Sequence, residues 1–212
     1  MSAPAPRPLR IALVAGEPSG DALGASLLAE LHRRFPEPGA LAFLGVGGEA
    51  MAGQGLDSLF PQPDIAVMGV GPVLRALPRL LRRMSQTAQH IAAGKPDLLI
   101  TIDSPDFSLR VAKKIRALDP SIPIVHWVCP SVWAWRPARA RRMRPHVDRV
   151  LCLLPFEPAE LLQLDGPEGV YVGHPLIERL AELRPQTEEE MAARARVDDG
   201  AILILPGSRR SE

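Results

Sequence analysis

The most constraining feature of this sequence is an apolar segment that ends in an aspartate. Residues 98–102, Leu-Leu-Ile-Thr-Ile, have the length and composition of a strand buried on both faces. Asp103 follows directly, Ser104-Pro105 predicts a turn, and Asp106 lies at the start of a predicted helix. In open parallel sheets, ligands bind at the carboxyl ends of the strands. The segment therefore predicts an α/β fold and places Asp103 where a ligand would bind.

Apolar runs of strand length alternate with helical segments along the rest of the chain. We predict further strands at residues 11–15, 41–46, 122–128, 148–154, 169–172 and 201–205. The clearest helix is predicted from Pro78 to Ala93, followed by Gly94. Its predicted core-facing stripe consists of Leu80, Leu81, Met84, Ala88 and Ile91. The alternation predicts a doubly wound, Rossmann-like parallel sheet with right-handed crossovers.

The length and the net charge suggest a domain organisation and give little sign of a nucleic-acid partner. The 212 residues suit one domain, or one domain and the start of another. We predict a disordered leader at 1–9, an amino-terminal domain at 10–175, a helical linker at 176–198 and the first strand of a truncated second domain at 199–212. The net charge of +1 provides no general attraction to nucleic acid or membrane.

Cysteine usage and the amino terminus indicate a cytoplasmic protein. Cys129 and Cys152 both lie in apolar runs, which favours buried, reduced thiols. No CxxC motif or His/Cys cluster predicts a metal site, and we expect no cofactor. The apolar run at 11–15 is too short for a signal peptide or a membrane span. A protein with this sequence could still bind to a membrane surface.

The segment Gly16-Glu-Pro-Ser-Gly20-Asp21 joins the first predicted strand to a helix. Backbone N–H groups at such a turn attract anions, and glycines allow a ligand to approach the backbone. The segment is neither GxGxxG nor a P-loop, and the Glu17 carboxylate would repel phosphate. A carboxylate suits sugar hydroxyls better. Ordinary turn formation, with Ser19 or Asp21 as a helix N-cap, explains the same residues.

Asp103 is a candidate general base, because a carboxylate that ends an apolar strand needs water, a partner or a substrate. Its position alone leaves function and structure equally open. Asp106 is either a helix N-cap or a substrate ligand. His126, within a predicted strand, is either a hydrogen-bonded core histidine or a catalyst.

Three other segments suggest surfaces for ligands. Trp133 and Trp135 flank Ala134, so in an extended chain one would point inward and the other toward a cleft, although packing of both in the core would explain them equally well. Residues 65–77 contain one charge and precede several arginines, which resembles a contact with an anionic membrane, although packing on the sheet would also explain them. Gly207-Ser-Arg209 predicts a second anion-binding turn.

Taken together, these segments resemble the lipid-A-disaccharide synthase family of GT-B glycosyltransferases, and the resemblance extends from about residue 10 to the end of the chain. Its most specific motifs are Ser131-Val-Trp-Ala-Trp135 and Ile102-Asp-Ser-Pro-Asp-Phe107. The other matching motifs are Val14-Ala-Gly-Glu-Pro-Ser-Gly-Asp21, Ala66-Val-Met-Gly69, Leu154-Pro-Phe-Glu157, Gly173-His-Pro175 and Leu205-Pro-Gly-Ser-Arg209. Pro18 differs from the small residue common in relatives and should stiffen the first turn slightly.

The resemblance implies a reaction without a metal, at an active site between two Rossmann-like domains. The 6-hydroxyl of 2,3-diacylglucosamine 1-phosphate (lipid X) attacks the anomeric carbon of UDP-2,3-diacylglucosamine, forming a β-1,6-linked disaccharide and UDP. The chain would be the amino-terminal domain and would be inactive alone. The full-length protein could form a homodimer and would lie on the cytoplasmic face of the inner membrane.

The resemblance also implies roles for individual residues. Asp103 would be the base, and Glu17 would orient a hydroxyl or assist it. Arg209 would neutralise the diphosphate of the leaving UDP. The remaining predicted substrate-binding residues are Gly16, Ser19, Gly20, Asp106, Ser131, Trp133, His174 and Ser208. The predicted membrane-contact residues are Val67, Met68, Val70, Val73, Leu74 and Leu77.

Two other functions fit parts of the sequence. Another GT-B transferase that acts on a UDP-sugar and a lipid-linked acceptor would share the predicted fold. A non-catalytic α/β module that binds anions would share the glycine turns. Carboxylates at two neighbouring strand ends argue against the second, because they would weaken the binding of an anion.

Overall fold

A computed structural model of the chain describes residues 7–67, 70–184 and 187–195. The strands are β1 (Leu9–Ala15), β2 (Leu41–Val46), β3 (Leu98–Ile102), β4 (Ile124–Trp127), β5 (Arg149–Cys152) and β6 (Glu168–Tyr171). The helices are α1 (Pro18–Arg34), α2 (Glu49–Ala52), α3 (Val70–Gly94), α4 (Pro105–Leu118), α5 (Ala138–Met143), α6 (Glu157–Gln163), α7 (Leu180–Leu183) and α8 (Glu188–Ala195). Short 3-10 turns occupy Gln62–Asp64 and Pro175–Arg179.

The six strands form one parallel sheet in the order β2-β1-β3-β4-β5-β6. From β1 the chain runs to β2 at one edge of the sheet and then returns to β3 on the other side of β1. The strands β4, β5 and β6 follow in order on that side. This order confirms the predicted doubly wound α/β fold. The predicted strand at 201–205 and the start of a second domain lie outside the described residues.

Alternating side chains of the sheet form two cores. Ile11, Leu13 and Ala15 pack with residues of α1 and α2 on one face. Ala12 and Val14 lie on the opposite face, in the core that includes residues of α3, α4, α5 and α6. Because both faces of the central strands are covered by helices, β3 is almost entirely buried, as its sequence predicts.

The beginning of the chain and the start of α3 differ from the predictions. β1 begins at Leu9, and Arg7 forms an ion pair with Asp97, so residues 7–9 belong to the folded unit rather than to a leader. α3 begins at Val70 and continues through Pro78, which removes one helical hydrogen bond without ending the helix.

The predicted core stripe of α3 is correct except at Leu81. Leu80, Met84, Ala88 and Ile91 are buried, whereas Leu81 is 43% exposed. Leu81 lies three residues before Met84, but it is about 100° around the helix from Leu80, which places it at the edge of the buried stripe.

The chain divides into two compact units, one ending at Gly173 and the other beginning at His174. The second unit contains the second 3-10 turn, α7 and α8. Among the described residues, no helix has both the length and the apolarity needed to cross a bilayer.

Candidate active site at the carboxyl edge of the sheet

The two predicted catalytic carboxylates follow neighbouring strands at the switch point of the sheet. Glu17 lies just after β1, and Asp103 directly follows β3. The connections from these strands leave in opposite directions, which opens a crevice between their carboxyl ends. Glu17 and Asp103 are both half-buried. The fold therefore places two acidic residues that are 86 positions apart in the sequence at the carboxyl ends of adjacent strands.

Two glycines allow the loop after β1 and the start of α1 to approach β3. A Cβ at Gly16 would lie 2.9 Å from Cβ and Oγ of Ser104. A Cβ at Gly20 would lie 3.2 Å from the carbonyl oxygen of Ile102. Both glycines thus have a packing role, which the glycine-turn pattern alone did not reveal. Their predicted contact with a sugar remains a prediction.

The backbone at the end of β3 adopts an uncommon conformation. Asp103 and Ser104 have φ values of 50° and 44°, in the left-handed region. Val128, after the neighbouring strand β4, has a φ of 76°. Such conformations cost about 1–3 kcal/mol each and cluster at functional sites. The Asp103 amide donates to the carbonyl oxygen of Trp127 at 2.9 Å, which fixes the strained residue to β4.

The Asp103 carboxylate is held only loosely. Among the described residues, the Asp103 carboxylate accepts one side-chain hydrogen bond, a long one of 3.4 Å from the hydroxyl of Ser19. Ser19 is exposed in the first turn of α1. The structure thus brings the predicted residues Ser19 and Asp103 together. The neighbouring Ser104 hydroxyl is buried and has no hydrogen-bond partner among the described residues.

Asp21 has a role that the sequence did not reveal. It is 6% exposed and lies inside α1, whose N-cap is Glu17, so Asp21 and Ser19 do not cap that helix. The Asp21 carboxylate instead accepts hydrogen bonds from three backbone amides at the start of α2, those of Gly48, Ala50 and Met51. No local pattern in the sequence indicates a bond across about 30 residues.

Asp106 is not the N-cap of α4. Ser104 occupies that position, and Asp106 lies in the first turn with its side chain exposed. Its carboxylate accepts a hydrogen bond from Arg139 at 2.6 Å and lies 3.6 Å from the Arg136 guanidinium. Asp106 therefore joins the start of α4 to the segment after β4. Its predicted substrate contact is untested.

The two tryptophans have different surroundings, and their segment is a tight turn rather than the extended chain that the prediction assumed; the predicted contact of Trp133 with a cleft is untested. The backbone carbonyl of the exposed Ser131 accepts the amides of Ala134 and Trp135. Trp133 packs against the core and meets Phe156 edge-on, with ring centroids 5.1 Å apart. Trp135 is 62% exposed, with the Arg136 guanidinium 4.0 Å from its ring centroid.

His126 is a core histidine. It is fully buried, and its Nδ1 lies 2.8 Å from the Thr101 hydroxyl. Burial, together with the positive charge of Arg139, lowers the pKa of His126 to about 4. The imidazole is therefore neutral at pH 7, and its Nε2 has no hydrogen-bond partner among the described residues.

The two cysteines are buried, free thiols, as predicted. Their sulfurs and a carboxylate oxygen of Glu157 lie within 4.8 Å of one another. The Cys152 thiol and burial raise the pKa of Cys129, which favours its protonated form. Glu157 accepts the amides of Leu153 and Leu154 at the start of α6. These two local hydrogen bonds explain the position of the Glu157 carboxylate beside the cysteines.

The predicted ligands in the last part of the chain belong to the second unit or lie outside the described residues. The Nδ1 of His174 accepts the amide of Leu176 at 3.1 Å, and His174 thereby caps a 3-10 turn in the second unit. Ser208 and Arg209 lie outside the described residues.

The predicted membrane patch is in part an exposed leucine stripe on α3. Leu74, Leu77 and Leu81 are 64%, 40% and 43% exposed. Their spacing of three and four residues places them on one helix face. Exposed arginines accompany them at positions 75, 79 and 82.

The other predicted membrane residues do not extend this stripe. Val67 is half-buried and packs against the core. Met68 and the side chains of Val70 and Val73 lie outside the described residues. A shallow surface depression of about 350 Å³ lies beside the stripe and is lined by Val67, Pro72, Arg75, Ala76 and Arg79.

The parallel strand order and the reversal of its connections between β1 and β3 define a Rossmann-like α/β domain. The fold resembles that of UDP-GlcNAc 2-epimerase from Neisseria meningitidis, solved with UDP-GlcNAc bound. The TM-score is 0.57 at 13% identity, over 88% of this chain and 53% of the epimerase chain. This likeness concerns the fold alone.

The chain belongs to the lipid-A-disaccharide synthetase (LpxB) family, whose model matches residues 11–212. It is 54% identical over 203 residues to lipid-A-disaccharide synthase from Nitrobacter hamburgensis and 44% identical over 205 residues to that from Burkholderia lata. Each alignment covers 96% of this chain and about half of the relative, 50% and 51%. The chain thus spans about half the length of these curated relatives.

Proposed function

We propose that this chain is the acceptor-side domain of a lipid-A-disaccharide synthase. The reaction joins UDP-2,3-diacylglucosamine to 2,3-diacylglucosamine 1-phosphate and yields the β-1,6-linked disaccharide 1-phosphate and UDP. Family membership supports the reaction class. The observation that best supports a catalytic role is the pair of half-buried carboxylates, Glu17 and Asp103, at adjacent strand ends of the switch point.

In this proposal, Asp103 removes the proton from the acceptor 6-hydroxyl. The oxygen forms a bond to the anomeric carbon of the donor as the bond from that carbon to UDP breaks, and the electron pair leaves with the diphosphate. A general base must lie within hydrogen-bond reach of the proton that it removes. The long Ser19 contact supports this role, because a substrate hydroxyl can replace it at little cost.

Glu17 would orient a sugar hydroxyl on the opposite side of the crevice. Ser19, Asp106, Ser131 and Trp133 are proposed to contact the acceptor. Gly16 and Gly20 would bring the sugar close to the backbone.

The donor side is proposed from the family resemblance. Ser208 and Arg209 would bind the diphosphate, and His174 would contribute from the segment before them. Most UDP contacts would come from a second domain, so we expect the 212-residue chain alone to release no UDP. Residues 10–175, 176–198 and 199–212 would then be the acceptor domain, the linker and the start of the donor domain.

The leucine stripe would bind the enzyme to the membrane that contains its acylated substrates. Leu74, Leu77 and Leu81 present apolar surface beside exposed arginines, the arrangement of a helix that lies in an anionic membrane interface. The surface depression beside the stripe is lined by three apolar residues and by Arg75 and Arg79, the residue types that would contact an acyl chain and an anionic headgroup. These features support contact with an anionic membrane, and the cytoplasmic face of the inner membrane is proposed from the family resemblance.

Replacing Asp103 by asparagine in the full natural chain tests the base assignment. We expect UDP release from the two acylated substrates to fall by about 10²–10⁴-fold, the usual contribution of general base catalysis. Asp57→Asn, which changes an exposed carboxylate outside the crevice, is the matched control. Turnover within a few-fold of the parent, in a folded Asp103→Asn protein, would refute the assignment.

The same assay separates the alternative functions. UDP release that requires a different lipid-linked acceptor would indicate another GT-B transferase. No turnover by the full-length parent with any acylated acceptor would favour a binding module.

A further inference from the structure

The side-chain amide of Gln62 holds the turn that contains Glu17. Gln62 is 8% exposed and begins the 3-10 turn Gln62–Asp64. Its Nε2 donates to the carbonyl oxygens of Ala15 and Glu17, each at 3.1 Å. A side-chain amide nitrogen has two hydrogens, so both are used on the carbonyls that flank Gly16.

These hydrogen bonds act at the point where the strand becomes a helix. The carbonyl oxygen of Glu17 also accepts the amide of Asp21 at 3.0 Å, in the first turn of α1. On its other side, Gln62 leaves little free space, because a Cβ at Gly48 would lie 2.8 Å from the Gln62 Oε1. The amide is therefore confined between the turn after β1 and the loop after β2.

The segment around Gln62 is itself attached to α3. The guanidinium of Arg83 donates to the carboxylate of Asp64 and lies 4.5 Å from the ring centroid of Phe60. Both side chains of the ion pair are about three-quarters buried, with 26% and 29% exposure. The position of Gln62 is thus determined by two contacts that lie outside the crevice.

We propose that Gln62 is a positioning residue of the acceptor site. By holding both carbonyls around Gly16, it fixes the turn against Ser104 and sets the position of Glu17 relative to Asp103. The inference rests on the proposed role of Glu17 in glycosyl transfer. Gln62 belongs to neither sequence motif of the site, and only the fold brings it there.

The test replaces Gln62 by methionine in the full natural chain. Methionine has nearly the same length and volume but donates no hydrogen bond. Gln163→Met, at the exposed end of α6, is the matched control. Two quantities are measured: hydrogen exchange of the backbone amides at residues 16–24, and steady-state UDP release from the two acylated substrates.

We expect amide exchange at 16–24 to become at least tenfold faster in Gln62→Met, with exchange in β3 unchanged. We expect kcat to fall about 10- to 100-fold, since a misplaced orienting group costs rate rather than donor binding, and the KM for the UDP-sugar to change less than twofold. The Gln163→Met protein should match the parent in both measurements.

Unchanged exchange at 16–24, or an equal increase throughout the sheet, would overturn the proposal, because the amide would then have no specific effect on the turn. Faster local exchange with unchanged kcat would also overturn it. If the full-length parent released no UDP, the proposed function would fail, and the exchange measurement would still decide whether Gln62 holds the turn.

Discussion

Replacing the three exposed leucines of α3 by serine should strongly weaken binding to membranes. Leu74, Leu77 and Leu81 together expose about one and a half leucine side chains. Burying one leucine side chain contributes about 1.5–3 kcal/mol, so the stripe supplies about 2–4.5 kcal/mol. The triple serine variant of the full-length protein should therefore partition roughly 30- to 1,600-fold less well. Sedimentation with vesicles of phosphatidylethanolamine and phosphatidylglycerol measures this partitioning.

Leu162→Ser provides a matched control, because Leu162 is 80% exposed but lies on α6. It should bind vesicles as the parent does. Raising the salt concentration should reduce the contribution of the arginines and leave the difference between the triple variant and the parent. A triple variant that stays within threefold of the parent, with the same thermal stability, would show that α3 does not contact the membrane.

Two further predictions concern stability. Burial lowers the pKa of His126 to about 4 in the folded chain, whereas the ordinary pKa of histidine is 6.5. Between these two pH values, His126 binds a proton in the unfolded chain but not in the folded chain. The free energy of unfolding should therefore fall by up to about 3 kcal/mol as the pH drops from 6.5 to 4. Urea titrations of His126→Gln should show a weaker pH dependence. The control His90→Gln, at an exposed histidine, should leave the pH dependence unchanged. Asp21→Asn should lower the free energy of unfolding at pH 7 by about 2 kcal/mol, because the Asp21 carboxylate accepts hydrogen bonds from three backbone amides. A loss below about 0.5 kcal/mol would contradict that role.

The strands of the sheet were the most predictable part of the fold. β2 and β3 have the bounds that their apolar runs predict, and β4 and β5 lie within the longer runs predicted for them. Runs that must be buried on both faces are distinct in sequence, since any polar residue there would need a partner. Helix α3 was harder, because a proline normally ends a helix and the apolar residues before Pro78 resemble a loop that packs on the sheet.

The candidate site was only partly predictable. The Glu17 and Asp103 segments have recognisable motifs, and the sequence placed both at strand ends. It gave no indication of Gln62, and it suggested only an N-cap role for Asp21; the hydrogen bonds of these two side chains join residues 27 to 47 positions apart. It also suggested an N-cap role for Asp106, which instead forms ion pairs with arginines after β4.

The sequence by itself determined that buried parallel strands alternate with helices and that an acidic residue follows two of them, because burial and turn formation depend on neighbouring residues. Only the tertiary structure decided that β1 and β3 are adjacent, that Gly16 must be glycine because Ser104 lies against it, and that Gln62 holds the turn between them. These relations depend on distances between segments far apart in the chain, and a local pattern contains no information about such distances.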